Sequence, residues 1–542
     1  MKLKAKNVRV RGMPSFPRKC AEQGINKRQH SKNRALGREG KLGSFETVCV
    51  IILFCLASLT ASPAQTFKTV LSFDGSDGAG PSNATLIQGV DGNFYGTTSG
   101  DGPNNNGTVF KITPEGKLTT LYAFCAQANC TDGAVPYAGV IQATDGDFYG
   151  TTYAGGTIGF GTVFKITSGG HLTTLHSFAG DDGSNPSAAL VQASNGNFYG
   201  TTKFGGAGGP CNNGCGTVFE ITASGKLTTL HSFLQGDGAW PTAAMIQAAD
   251  GKLYGTSYAG GQGQQLCEDY GCGTAFKVTL VGSLTSLYSF CSVDSGGICA
   301  DGNEVVAPLV QAASGDFYGT TLGGGQAGKI TNHGTVFKLT AAGTLTTLYA
   351  FDGPDGQTPD AGLVQGTNGI LYGTTTLGGS GVGCYDSGCG TIFMITPGGV
   401  LTNVYGFCLQ SGCADGSVPS GALVQATSGT FYGMTGQGGT SGNCSTSGCG
   451  TVFSLGMGLG PFVETDPSIG EFGDSVIILG NDLTGATSVT FNGTVASFKV
   501  VSASEITTTV PTGATSGIVE VATPSRTLKS NKSFRVMGDG TP

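Results

Sequence analysis

The sequence predicts an all-β protein: a seven-bladed β-propeller of four-stranded blades, closed by an N-terminal strand, followed by a small β-sandwich. Three observations carry this reading. Ninety-five glycines in 542 residues, with only 12% charged residues, disfavour long helices and supply many turns. A Tyr-Gly pair recurs at Tyr95, Tyr149, Tyr199, Tyr254, Tyr318, Tyr372 and Tyr432, each copy followed 12 to 19 residues later by Gly-Thr-x-Phe, and seven copies at a period of 50 to 64 residues point to a propeller or a solenoid. After GMGLG at 456–460 the repeat gives way to another pattern of short alternating strands.

Each repeat reads as four strands, as in LVQA, NFYGTT, GTVFEIT and LTTLHSF between Leu190 and Phe233. The chain ends of the repeat region decide for a ring. TFKTVLSF at Thr66 to Phe73 is a fourth strand with no blade before it, and the seventh repeat stops at GTVFSL without a fourth strand, so the first completes the last and no sheet edge is left open. Asp91-Gly92, Asp145-Gly146 and Asn195-Gly196 suit tight hairpins between first and second strands, as do Glu115-Gly116, Gly169-Gly170 and Ser224-Gly225 between third and fourth. The other two sets of connections are long and variable and emerge together on the opposite face, where binding loops are expected.

Before the repeats, VCVIILFCLASL followed by TASPAQ reads as a signal peptide over 42–64, cut near Ala64; residues 1–41, with thirteen Lys/Arg, read as a basic disordered leader of the kind an upstream start assignment leaves. Removing 1–64 leaves fifteen basic and 32 acidic residues, a net charge of −17 that disfavours nucleic acid and anionic lipid as partners. The mature chain is expected to be periplasmic, cell-surface or extracellular, without membrane insertion. Its fourteen cysteines fall into seven close pairs in the long loops: Cys125 with Cys130, Cys211 with Cys215, Cys267 with Cys272, Cys291 with Cys299, Cys384 with Cys389, Cys408 with Cys413, and Cys444 with Cys449. Every fourth-to-first loop that is lengthened carries a pair, which favours local disulfides stapling insertions, and the pairs are assigned so. Zinc is disfavoured because the pairs sit on different blades and no histidine accompanies them; a redox dithiol is disfavoured because none is Cys-x-x-Cys.

Asp-Gly precedes a proline in every fourth-to-first loop, at Asp77, Asp132, Asp182, Asp237, Asp301, Asp355 and Asp415. Two readings compete: a ring of carboxylates holding calcium or a sugar, and an Asx-turn in which each Asp caps its own loop. No cofactor is assigned, calcium being the one candidate. Trp240, the only tryptophan, precedes Pro241 in a long loop and is a contact candidate for carbohydrate or protein; His333 is the only histidine in a long loop and joins the binding candidates. His176 and His231 stand where other repeats have Tyr122, Tyr288, Tyr349 and Tyr405 and read as blade-edge aromatics. Neither His-Glu-x-x-His nor Gly-x-Ser-x-Gly occurs, and no catalytic or metal-ligating residue is assigned.

PSIGEFGDSVIILGNDL, VTFNGTVASF and VPTGATSG, within 461–537, resemble the IPT/TIG immunoglobulin-like family. NFYGTT, GTVFKIT and LTTLYSF, across 66–455, resemble the GloVer (Gloeo/Verruco) tandem repeat of exported bacterial proteins, which implies export and surface association and no particular reaction. Residues 456–460 are the linker. The leading expectation is a non-enzymatic extracellular binding or scaffold protein that presents its stapled loop face to a polysaccharide or protein; the alternative is a propeller hydrolase or lyase acting on polysaccharide.

Overall fold

A computed structural model describes residues 65–538, apart from short loop segments at 82–83, 263–266, 268–269, 294–296, 326–331, 382–383, 385–386, 442 and 445–446; the leader and signal-peptide readings lie outside the described residues. Seven four-stranded antiparallel sheets follow one another along the chain. Blade 1 consists of Ile87–Gln88, Phe94–Thr98, Thr108–Ile112 and Leu118–Ala123, and blades 2 to 6 repeat this from Ile141, Val191, Ile246, Val310 and Val364. Blade 7 takes Val424–Gln425, Phe431–Thr435 and Thr451–Gly456 from its own repeat and Thr66–Ser72 from the N-terminus, paired antiparallel from Thr66 opposite Gly456 to Ser72 opposite Thr451.

The repeated motif is explained by packing between blades. The second strand is buried along its whole length in every blade, as in Phe198–Thr202. Its central glycine lies under a phenylalanine of the third strand: a Cβ on Gly200 would fall 2.5 Å from Phe219 Cζ and 2.8 Å from Leu190 Cδ2, so a side chain there would push the two layers apart. The tyrosine before it stacks on the second strand of the next blade, with ring centroids 4.0 Å apart for Tyr95 on Phe148 and for Tyr149 on Phe198, and 4.1 Å for Tyr432 on Phe94, which joins blade 7 to blade 1. Their hydroxyls are satisfied locally: those of Tyr95, Tyr149 and Tyr254 donate to Asp91, Asp145 and Asp250 at 2.8 to 3.0 Å.

A belt of glutamines fastens the ring. The second residue of each first strand, Gln88 through Gln425, accepts a hydrogen bond from a backbone N–H in the preceding blade. Val90 N lies 2.9 Å from Gln142 Oε1, Thr144 N 2.9 Å from Gln192 Oε1, and Thr427 N 2.8 Å from Gln88 Oε1, the contact that closes the circle. The same amides donate to a carbonyl in their own tight turn, as Gln142 does to Gly146 O at 3.0 Å.

After the propeller, a four-stranded sheet (Glu464–Asp466, Ser475–Leu479, Glu505–Thr509, Phe498–Val500) packs on a five-stranded one (Ile469–Gly470, Thr527–Val536, Gly517–Ala522, Ser488–Phe491, Thr494–Ala496). Its core needs no disulfide: Val476, Ile478, Ile506, Val519, Val521 and Phe534 are at most 1% exposed, and Phe491 and Phe534 meet edge-on at 5.0 Å. The module is docked on the tight-turn face of the propeller. Phe462 N donates to Thr427 O at 2.9 Å, Asn481 Nδ2 to Thr427 Oγ1 at 2.7 Å, and Ser504 Oγ to Val90 O at 2.6 Å.

Candidate functional site at the mouth of the central channel

The repeated loop aspartates are each engaged within their own loop. Asp132 accepts from the Tyr122 hydroxyl at 2.8 Å and from Ala126 N and Gln127 N at 2.9 and 3.2 Å; Asp415 does the same with Tyr405, Leu409 N and Gln410 N, and Asp301 with Tyr288, Ser292 N and Val293 N. Asp182 and Asp237 pair with His176 and His231 at 2.7 and 2.9 Å, and Asp355 with Tyr349, so these ring positions tie the Asp to the fourth strand. Asp77 holds only its loop, through Asp74 N at 3.0 Å, because its strand has Leu71 at the aromatic position. The seven carboxylates are kept apart, none lines the central channel, and a cation at any of them would have to displace these hydrogen bonds. His333 is also away from the channel; its carbonyl accepts Thr358 N at 2.9 Å and its buried Nδ1 has no partner.

All seven cysteine pairs are disulfides. Cys125 is joined to Cys130, Cys211 to Cys215, Cys267 to Cys272, Cys291 to Cys299, Cys384 to Cys389, Cys408 to Cys413, and Cys444 to Cys449. None of these residues lines the central channel, though the Cys215 carbonyl accepts Trp240 N at 2.8 Å from behind it. Cys130 and Cys449 show two ways of tying loops. Cys130 ends a short 3₁₀ turn, Ala128–Cys130, with its carbonyl accepting Gly133 N at 2.9 Å and Gly156 N at 2.9 Å, so this staple ties the fourth-to-first loop to the second-to-third loop of blade 2. Cys449 is fully buried, and its carbonyl accepts Gly80 N at 3.1 Å, tying the last repeat to the loop after the N-terminal strand.

The reading that the pairs lie on different blades needs correction for blades 4 and 6. There the second-to-third loop folds against the fourth-to-first loop, bringing Cys267, Cys272, Cys291 and Cys299 together, and likewise Cys384, Cys389, Cys408 and Cys413, with sulfurs within 4.8 Å of one another. Each sulfur is already bonded, so neither quartet offers a thiolate to a metal. They are double staples that lock two long loops to each other.

The first strands surround a central channel of about 1360 Å³. Side chains at alternate positions face it in tiers. Nearest the tight-turn face come Ile87, Ile141, Val191, Ile246, Val310, Val364 and Val424, a uniform aliphatic tier; then small residues such as Gly139, Ala189, Ala244 and Gly362. At the long-loop face the next tier is mixed, with Tyr137, Ser187, Thr242, Val306, Asp360 and Ser420. The other end is floored by the β-sandwich, through Glu464, Asp466, Ile469, Lys532 and Arg535, so the channel is blind. Burial, with Glu464 nearby, pushes the Asp466 carboxyl up to about 6.

The mouth departs most from seven-fold symmetry between blades 3 and 4. Seven buried side-chain polar atoms of the described residues lack a partner, and four of them belong to blade 3 and the segment entering blade 4: Ser187 Oγ, Thr201 Oγ1, Trp240 Nε1 and Thr242 Oγ1, of which Ser187, Trp240 and Thr242 are channel-lining residues. Elsewhere the threonine equivalent to Thr201 donates to the first strand of the next blade, as Thr97 to Ala138 O at 2.9 Å, Thr151 to Ala188 O at 3.0 Å and Thr256 to Ala307 O at 3.1 Å. At this seam Trp240, held at φ +53°, packs against Tyr258 and Tyr270 with centroids 6.3 and 4.8 Å away. Lys203 also lines the mouth, its ammonium 5.1 Å from the Phe204 ring centroid. It has no carboxylate partner among the described residues, and desolvation lowers its pKa. Across the channel Asp360 accepts a hydrogen bond from the Thr376 hydroxyl, and burial pushes its carboxyl up to about 7.

Trp240 is the one sequence-selected binding candidate that the structure places at this mouth. Lys203, Ser187, Thr242 and Asp360 were not singled out. A signal for Lys203 exists: aligned on Tyr-Gly-Thr-Thr, the following residue is Ser99, Tyr153, Lys203, Tyr258, Leu322, Thr376 or Gly436, variable amid near-constant neighbours.

The family model of the Gloeobacter/Verrucomicrobia repeat matches residues 125–301 and 268–462, and that of the IPT/TIG domain matches 463–535. No curated protein matches the chain. Among solved structures, it is similar to a gluconolactonase from Xanthomonas campestris (12% identity, TM-score 0.34, covering 73% of this chain and 90% of that one). It is similar also to a luciferin-regenerating enzyme (12% identity, TM-score 0.36, covering 74% and 98%). At such identities and scores neither likeness bears on chemistry. The repeat match spans more than half of the sequence, and the chain belongs to the Gloeobacter/Verrucomicrobia repeat family, with an IPT/TIG domain behind its repeats.

Proposed function

We propose that the protein is exported and works as a binding protein that holds a saccharide at the channel mouth between blades 3 and 4. Seven disulfides suit an oxidising compartment, and the repeat and IPT/TIG domains fit a surface or binding role. The observation that carries the reading is that four of the seven unpartnered buried polar atoms of the described residues belong to one seam, between blades 3 and 4, where an aromatic wall also stands. Buried polar groups without partners are rare and concentrate where a ligand or water completes them. A sugar offers the matching chemistry, hydroxyls for Ser187 and Thr242 and a ring face for Trp240 and Tyr258. The hydrolase reading is less well supported, because glycosidases of the common type need two carboxylates flanking the bond and Asp360 is the only carboxylate among the described mouth residues, Glu464 and Asp466 lying at the floor.

The test is glycan-array binding by the mature chain and its Trp240→Ala variant. Binding that falls at least ~10-fold in the variant, the scale of one aromatic stacking contact, supports the reading. No binding to any glycan overturns it and moves the site to a protein partner.

A further inference from the structure

Resting on that reading, we propose that the bound sugar is acidic and that Lys203 receives its carboxylate. The argument begins with a charge that the fold leaves unbalanced. The described lysines Lys111, Lys165, Lys252, Lys338 and Lys529 have carboxylates within 2.5 to 3.5 Å. Among the described residues Lys203 has none, as is also the case for Lys68, Lys117, Lys226, Lys277, Lys499 and Lys532; what sets it apart is its place at the channel mouth together with the desolvation that lowers its pKa. A part-buried ammonium without a counter-ion is a standing cost, and placing one on the wall of a channel is accounted for when the missing anion arrives with the ligand.

The neighbours define what kind of anion fits. Lys203 follows the second strand of blade 3, and Thr242 precedes the first strand of blade 4; both line the channel together with Ser187 and Trp240. Ser187 and Thr242 line the channel, and their hydroxyls have no protein partner. One point charge flanked by hydroxyls and aromatic faces matches a monoanionic pyranose: carboxylate on the ammonium, hydroxyls on Ser187 and Thr242, ring face on Trp240. A phosphate ester would call for more donors, such as an Arg fork, and the described mouth residues contain no arginine. The mature chain's net charge of −17 opposes anions only at long range, screened over about 8 Å at physiological salt, so selection rests on the local contact.

The experiment uses the full mature chain on an array that pairs uronate-containing oligosaccharides with their methyl esters, followed by calorimetry on the best binder. Expected are at least ~10-fold tighter binding of the acid than of its ester, loss of that preference in Lys203→Met with ester binding unchanged, and its retention in Lys203→Arg. Thermal unfolding of each variant checks folding, and the Arg variant keeps the test valid should the Met variant be unstable. Acid and ester binding equally, or neutral glycans alone binding, overturns the role of Lys203 while leaving saccharide binding intact. No glycan binding at all overturns both readings together.

Discussion

Truncating one glutamine of the belt tests whether the ring is closed between blade 7 and blade 1. Gln88 spans that joint: its Oε1 accepts Thr427 N at 2.8 Å and its Nε2 donates to Gly92 O at 3.4 Å. Gln192 makes the same pair of contacts inside the ring, to Thr144 N at 2.9 Å and Gly196 O at 3.1 Å. Alanine at either position removes two hydrogen bonds worth roughly 0.5–1.5 kcal/mol each and leaves a part-buried N–H unpaired, so each variant should lose about 2 kcal/mol. Chemical denaturation followed by Trp240 fluorescence reads the loss as a shift in midpoint at constant slope. A closed ring predicts nearly equal shifts for Gln88→Ala and Gln192→Ala. A normal loss for Gln192→Ala with less than ~0.5 kcal/mol for Gln88→Ala would refute closure, because the Gln88 contact exists only if the two ends of the repeat array meet.

Two further outcomes follow from the same structure. Asp360 has a folded-state pKa of about 7 against 3.8 for the free group, so the folded chain holds a proton that the unfolded chain has released between those values, and stability contributed at this site falls as pH rises from 4 to 7. Asp360→Asn should therefore stabilise the protein at pH 8 by about 1–2 kcal/mol, the full shift being reduced by channel water, and should change little near pH 4; equal effects at both pH values, seen by thermal unfolding, would contradict the assignment. Replacing Cys125 and Cys130 together by serine should cost about 2 kcal/mol, the chain-entropy value for so short a ring, and should leave saccharide binding in place, since both lie outside the channel lining and away from blades 3 and 4. A larger loss by denaturant unfolding would mean that the loop supports the blade itself.

The blades, their closing strand and the disulfide partners were legible because each is written in a repeated motif or in adjacent residues. Gly200 and Tyr199 recur for packing reasons that act identically in every blade. Four features were not legible, for physical reasons. The glutamine belt joins residues about 50 positions apart, so Gln192 in LVQA looks like any strand residue until Thr144 is seen beside it. The docking of the IPT/TIG domain on the propeller rests on isolated contacts such as those of Asn481 and Ser504, which leave no periodic trace. The mouth site rests on exceptions: Thr201 is identical in sequence to Thr151, yet its hydroxyl lacks the partner in the next blade that Thr151 has. The cysteine quartets were missed because pairing along the chain says nothing of which loops later meet.

Trp240 makes the central claim directly measurable, because it is the only tryptophan in the chain and stands at the proposed site. Its emission should shift saturably as a bound oligosaccharide is titrated, with the same dissociation constant that calorimetry reports for that ligand. A ligand that binds by calorimetry and leaves the Trp240 emission unchanged would contradict a site at the seam of blades 3 and 4.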